Sequence, residues 1–108
     1  MNYCDNWQVL KIITEKETFY KLLAGTSGGY LTGNSWMLNS GIEECEEDGD
    51  YYLFHGTSGS TYKCHKESCI MRMNIAQVYA QLKENFGDNI ELVNGDDVHD
   101  WTKFKWKL

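Results

Sequence analysis

The chain has 108 residues, a net charge of −6 and a mean hydropathy of −0.54. This length predicts one domain, and 42% hydrophobic residues supply enough apolar material for one core. Sixteen acids against ten Lys and Arg disfavour binding to DNA or RNA, which requires clustered cations. No apolar run approaches the ~20 residues of a membrane span, and the first residues do not have the pattern of a signal peptide. We therefore expect a cytoplasmic protein without membrane contact, in which the cysteines stay reduced.

Strands are predicted for most of the chain up to residue 66. Residues 7–14 (WQVLKIIT) and 19–24 (FYKLLA) form a hairpin around EKE, and the glycine-rich loop GTSGGYLTGNS follows. Residues 36–47 (WMLNSGIEECEE) form one long strand, or two pieces broken at Gly41. The pair Asp48-Gly49 is a strong hairpin signal, with DYYLFH as the partner strand. GTSGS is then a turn and TYKCHK the strand after it, so these segments predict an antiparallel meander.

One helix is predicted, over residues 74–86. Asn74 is a favourable N-cap, Gln77 lies three residues on as in a capping box, and Gly87 is placed to end the helix. Its apolar stripe, which we expect to pack on the sheet, consists of Ile75, Val78, Tyr79, Leu82 and Phe86.

Residues 90–93 (IELV) form a short strand, and residues 101–108 end in an alternating pattern, TKFKWKL. This pattern predicts a C-terminal strand, or an arm that adds to a neighbouring subunit. Trp101 and Trp106 would serve the arm as anchors, which favours a homo-oligomer. The expected fold for residues 1–108 is a single α+β domain, in which a bent antiparallel sheet of about five to seven strands carries one amphipathic helix.

The tetrapeptide GTSG occurs twice, at residues 25–28 and 56–59. Either a strand-turn unit was duplicated, or two turns use the same favoured residues. Residues 25–29 also fit the nucleophile elbow G-x-S-x-G, and residues 28–35 fit a P-loop except that Asn34 replaces its lysine. Both motifs need a following helix, and neither has one. We therefore predict that the turns are structural and that the protein is not an enzyme.

The four cysteines, Cys4, Cys45, Cys64 and Cys69, do not have the paired spacing of a zinc site. Cys64 and Cys69 are separated by four residues and have no matching second pair. A zinc site that also uses His55, His65 or His99 is the alternative to ordinary buried thiols. A Cys–His nucleophile from Cys64 is disfavoured, because adjacent strand residues point to opposite faces. We expect no metal, no cofactor and no catalytic residue.

Two surfaces are candidates for binding. The first is an acidic hairpin that would steer the chain toward a basic protein, with exposed aromatic residues as anchors. The second is a small-anion site lined by the two GTSG loops, above all by the second, where hydroxyls, backbone N–H groups and cations could surround a nucleotide-like ligand. The partner-binding candidates are Glu43, Glu44, Glu46, Glu47, Asp48, Asp50, Trp101 and Trp106. The ligand-binding candidates are Ser27, His55, Ser58, Ser60, Lys63, His65 and Arg72.

The stretches GNSWMLNSGI and YYLFHGTSGSTYKCHK, with the helix after them, resemble small accessory proteins of tailed bacteriophages. The resemblance covers roughly the central half of the chain and supplies no catalytic residue. It implies a protein that acts against host defences in a bacterial cytoplasm, either by blocking a host protein or by sequestering a small signalling nucleotide. Our leading hypothesis is a non-enzymatic inhibitor of a host protein, and the alternative is a sponge for a small anionic ligand.

Overall fold

In the computed structural model, which describes residues 2–27, 34–93 and 95–106, eight β-strands and one α-helix form three layers. Two four-stranded sheets face each other, and the helix covers the outer side of the second sheet. The fold is α+β, as expected, with two sheets in place of the single bent sheet. The elements are β1 Asn2–Cys4, β2 Asn6–Ile13, β3 Thr18–Ser27, β4 Asn34–Leu38, β5 Ile42–Asp48, β6 Tyr51–Gly56, β7 Thr61–His65, α1 Met73–Phe86 and β8 Ile90–Val93.

The first sheet has the strand order β1-β7-β6-β5. The predicted meander of at least five strands is confirmed only in part. β5, β6 and β7 pair antiparallel in sequence order, but β4 belongs to the other sheet and does not pair with β5. Asp48 lies opposite Tyr51, and Gly49 has a φ of +60°, a value that favours glycine in a two-residue hairpin. β1 pairs with β7 in parallel, with Cys4 opposite Cys64. The sheet is therefore mixed and not purely antiparallel.

The second sheet has the strand order β4-β3-β2-β8 and is antiparallel throughout. The predicted hairpin around EKE is confirmed, with Ile13 opposite Thr18. The first GTSG differs from its prediction, because Gly25, Thr26 and Ser27 continue β3 and pair with β4. Only the second GTSG contains a described turn, so the two copies are not similar hairpin corners; Gly28 lies outside the described residues.

A corner at residues 39–41 carries the chain from the second sheet to the first. Of the two predictions for residues 36–47, the break at Gly41 is confirmed. Asn39 is buried there, and its backbone N–H donates to the carbonyl of Leu22 (3.1 Å). Its side-chain Oδ1 accepts from the N–H of Leu22 (2.7 Å), and its Nδ2 donates to the carbonyl of Gly41 (3.1 Å). One side chain thus continues the pairing of β3 after β4 has ended.

The helix begins at Met73, one residue before the predicted start. The proposed N-cap Asn74 is wrong, because Arg72 is the N-cap and makes no side-chain cap hydrogen bond. The end is as predicted: Gly87, at a φ of +57°, donates its N–H to the carbonyl of Lys83. The stripe packs against Leu10, Leu23 and Ile90 of the second sheet, except for Phe86, whose side chain is 55% exposed.

The C-terminal segment is neither a strand nor an exposed arm over the described residues 95–106. Trp101–Lys103 is a single 3₁₀ turn, and Trp101 and Trp106 stack with ring centroids 5.8 Å apart. Both indoles are buried among the aromatic residues between the sheets. The prediction that they are exposed anchors is therefore wrong, because burying two large rings stabilises the fold more than leaving them in water.

The corner gives a direct stability prediction. Asn39→Ala leaves the buried N–H of Leu22 without an acceptor. It also removes one donor to the carbonyl of Gly41, which keeps the N–H of Thr57. We therefore expect the free energy of unfolding to fall by about 1–3 kcal/mol. The neighbouring Ser40 is exposed, and its hydroxyl bonds to the exposed hydroxyl of Thr57, so Ser40→Ala should change the free energy of unfolding by no more than about 0.5 kcal/mol. Urea unfolding of the two variants measures both values. Equal destabilisation by the two substitutions would contradict the role of the Asn39 amide.

Candidate binding face on the first sheet

The outer face of the first sheet consists of the side chains that point away from the second sheet. It follows from the alternation of β6 and β7, in which Tyr52, Phe54, Tyr62 and Cys64 are buried and their neighbours point outward. The outer face contains Tyr3 on β1, Thr61, Lys63 and His65 on β7, Tyr51, Leu53 and His55 on β6, and Glu44, Glu46 and Asp48 on β5.

Aromatic and apolar groups extend across the outer face from β6 to the edge strand β1. One cross-strand row runs from Glu46 through Leu53 and Lys63 to Tyr3, whose side chain is 66% exposed. The ammonium of Lys63 also reaches the next row, where it lies 4.7 Å from the ring centroid of Tyr51. A cation over an aromatic face is attracted by the ring quadrupole, so this contact stabilises the position of the Tyr51 ring. The outer face therefore carries two exposed tyrosines, Tyr3 and Tyr51.

The predicted acidic and basic surfaces are neighbours in this one sheet. Nε2 of His55 lies 2.9 Å from Oε1 of Glu46, and Nζ of Lys63 lies 3.5 Å from Oδ2 of Asp48. Beside the outer face, Lys66 pairs with Glu47. His55, Lys63 and Lys66 therefore each lie beside a carboxylate of β5, which lowers their availability to an anionic ligand.

The remaining acids of the hairpin are distributed around the same strand. Glu43 lies at a bulge of β5, and Asp50 is in the turn before β6. Both are exposed. β5 is an edge strand, and charges along an edge prevent pairing with strands of other chains. The acids thus have one structural role that needs no partner, in addition to their proposed steering role.

Three of the four backbone donors of the second GTSG are already used. The N–H of Gly56 donates to the carbonyl of Ser60 (2.7 Å), that of Thr57 to Gly41 (2.9 Å), and that of Gly59 to Gly56 (3.0 Å). An anion-binding nest requires N–H groups that point outward without an acceptor. This turn closes a hairpin and anchors the corner at Gly41, so its geometry does not favour an anion nest.

The other ligand-binding candidates are only partly brought together. His55, Lys63 and His65 share the outer face, and Ser58 and Ser60 belong to the turn at its end. Ser27 lies in β3 of the second sheet. Arg72 precedes the helix, which packs on the far side of that second sheet. Ser27 and Arg72 therefore do not join the other candidates.

One group of side chains has the spacing to hold a metal ion. Ligand atoms of Glu44, Glu46 and His55 all lie within 4.8 Å of one another. Nδ1 of His55 lies 3.0 Å from the hydroxyl of Thr61, which orients the ring and leaves Nε2 toward the carboxylates. No cysteine belongs to such a group within the described residues. The Cys–His zinc alternative therefore has no support there.

The thiols are placed for packing and not for nucleophilic chemistry. Cys4, Cys45 and Cys64 are buried. Burial raises the pKa of Cys45 to about 12, with Asp100 the next cause. Burial and then the Asp96 carboxylate raise the pKa of Cys69 to about 12. Since the thiolate is the nucleophile, thiols with such pKa values are poorly reactive near neutral pH.

Comparisons of the chain with protein-family models, with curated proteins and with solved structures gave no match. Among residues 2–27, 34–93 and 95–106, no helix has the length and apolar character needed to cross a membrane. The likeness to phage accessory proteins therefore remains a prediction from the sequence.

The raised thiol pKa values predict destabilisation at alkaline pH. A group whose pKa is higher in the folded state stabilises the fold below its unfolded pKa of 9.0, and this contribution is lost as pH rises toward about 12. We expect the free energy of unfolding, measured with urea, to fall over this range. In a Cys45→Ala, Cys69→Ala double variant the fall should be shallower, although the variant is less stable throughout. Parallel pH profiles for the two proteins would contradict the assignment.

Proposed function

We propose that the protein is a non-enzymatic binding protein that contacts a partner protein through the outer face of the first sheet. The observation that carries the proposal is the pair of exposed tyrosines, Tyr3 and Tyr51, on either side of Lys63. Binding energy at protein interfaces concentrates in Tyr, Trp and Arg residues near the centre, surrounded by a polar rim. Here the acids of β5 form the polar rim on one side of the outer face.

The charge distribution supports a partner with a basic surface. The chain carries a net charge of −6, and Glu44, Glu46 and Asp48 line one side of the outer face. Complementary charge accelerates encounter and suppresses wrong partners more than it adds affinity. The acids thus act in steering, while the tyrosines and Leu53 supply the buried contact area.

The partner class that we propose is a bacterial host protein, in particular a defence protein. This choice follows from the resemblance to phage accessory proteins, and the acidic, aromatic face is compatible with it. The sponge hypothesis has less support, because three of the four N–H groups of the second GTSG are bonded internally and His55 and Lys63 have carboxylate partners. Self-association also has less support, since Trp101 and Trp106 are buried.

A capture experiment with matched variants tests the proposal. Immobilised full-length protein is incubated with a bacterial lysate, and proteins retained by the wild type are identified by mass spectrometry. Tyr3→Ala and Tyr51→Ala should each weaken binding of the retained protein by about 30-fold, which corresponds to a hot-spot loss of about 2 kcal/mol. Trp36→Ala is the control, because Trp36 is 50% exposed but lies on β4 of the second sheet. Equal loss with Trp36→Ala, or no loss with either tyrosine variant, contradicts the proposed face.

The steering role has a separate test. A Glu44→Gln, Glu46→Gln variant should bind the retained protein with a slower association rate and a weaker dependence on salt concentration. A Glu15→Gln, Glu17→Gln variant has the same change in charge at the β2–β3 turn of the other sheet. If both variants change the association rate equally, only net charge matters and the outer face has no special role.

A further inference from the structure

A cleft lies between the C-terminal half of the helix and the second sheet, in a different layer from the outer face. It has a volume of about 510 Å³. Ile12, Phe19 and Leu38 line it from the sheet, and Leu82 and Phe86 line it from the helix. Ligand pockets commonly enclose about 300–1,000 Å³ behind mostly apolar walls with a few polar groups. This cleft has the size and lining of a small-molecule site.

The cleft exists because the helix covers only part of the second sheet. Near its start, Ile75 is fully buried against Leu10 and Leu23. At its other end, Phe86 is 55% exposed and does not close over the β2–β3 hairpin. The apolar surface between these points is therefore accessible from the side of Phe86.

Lys21 interrupts this apolar surface. It lies opposite Leu10 in the β2–β3 pair, so the two side chains share the face that the helix covers. Its ammonium lies 5.9 Å from the ring centroid of Phe19. Within the described part of the chain, the ion pairs involve His55, Lys63 and Lys66, and no carboxylate pairs with Lys21. A cation beside apolar walls has lost part of its hydration, and an opposite charge stabilises it there.

We propose that the cleft binds an amphipathic carboxylate, a small molecule with an apolar chain and one anionic head. The chain lies between Ile12, Leu82 and Phe86, where its burial supplies most of the binding free energy. The head accepts a charge-assisted hydrogen bond from the ammonium of Lys21. We choose a carboxylate over a purely apolar ligand because Lys21 has no carboxylate partner within the described residues. An anionic head would therefore complement its charge.

The site is independent of the proposed protein-binding function. The cleft lies on the helix side of the second sheet, whereas Tyr3 and Tyr51 lie on the far side of the first sheet. Failure of one proposal therefore leaves the other unaffected.

Decanoate, with decanol as its uncharged counterpart, is the probe. Titration of the full-length, isotope-labelled chain below the micellar concentration should shift the amide NMR signals of Ile12, Lys21, Leu82 and Phe86 saturably. Decanoate should bind at least about 10-fold more tightly than decanol, as expected for one hydrogen bond to a charged group. Equal affinity for the two probes, or shifts centred elsewhere, overturns the proposal.

Three variants assign the contacts. Lys21→Met keeps the apolar stem and should abolish the preference for decanoate while decanol still binds. Phe86→Ala should weaken both probes, and Leu92→Ala should weaken neither, since Leu92 is 38% exposed and does not line the cleft. Thermal unfolding of each variant without probe verifies that it is folded. A decanoate preference that is retained in Lys21→Met overturns the proposal. Concentration-dependent dimerisation that Phe86→Ala removes also overturns it, because a second copy of the chain then occupies the cleft.

Discussion

The indole of Trp7 is the contact on which the relation between the two sheets depends. Trp7 belongs to β2 of the second sheet and is fully buried. Its Nε1 donates to the carbonyl of His65, at the end of β7 in the first sheet (2.8 Å). Its ring packs against Phe54 and Trp101, with centroids 5.1 and 5.8 Å away. One side chain therefore fixes both the spacing of the sheets, through its size, and their relative position, through a directional hydrogen bond.

Filling the space between the sheets with aromatic rings determines where function can lie. The inner faces hold the rings and the three buried thiols, which pack closely against one another. Two further clefts are lined in part by Trp101 and by Trp106, but both proposed sites lie on outer surfaces. These are the outer face of the first sheet, which is ion-paired and aromatic, and the incompletely covered apolar side of the second sheet. The two surfaces differ in chemistry because the helix packs on only one of the sheets.

Local patterns predicted the elements whose partners are near in sequence. Helical periodicity and Gly87 located α1 to within one residue, and the Asp48-Gly49 pair located the β5–β6 hairpin. The contact between Glu46 and His55 could also have been found, because counting back from that turn places Glu44 opposite His55 and Glu46 two residues further along the same face.

Features that depend on distant partners could not be predicted in this way. The sequence contains no local signal that β1 joins β7, or that the chain changes sheets at Asn39. The strand prediction for the alternating tail is wrong because period two describes any extended segment. The burial of Trp101 and Trp106 depends on Trp7 and Tyr20 of the second sheet and on Phe54 of the first. The position of Lys21 in the cleft likewise follows from where the helix ends over the sheet.

The parallel pairing of β1 with β7 has a consequence for the kinetics of folding. Asn2 pairs with Tyr62, so this edge of the sheet forms only after a loop of most of the chain has closed. Non-local pairing of this kind slows folding, since the entropy of loop closure is lost before the contacts form. The sequence has no proline, so the slow isomerisation of X–Pro bonds is absent from refolding. We therefore expect a slow refolding phase in this protein to report the long-range pairing of β1 with β7.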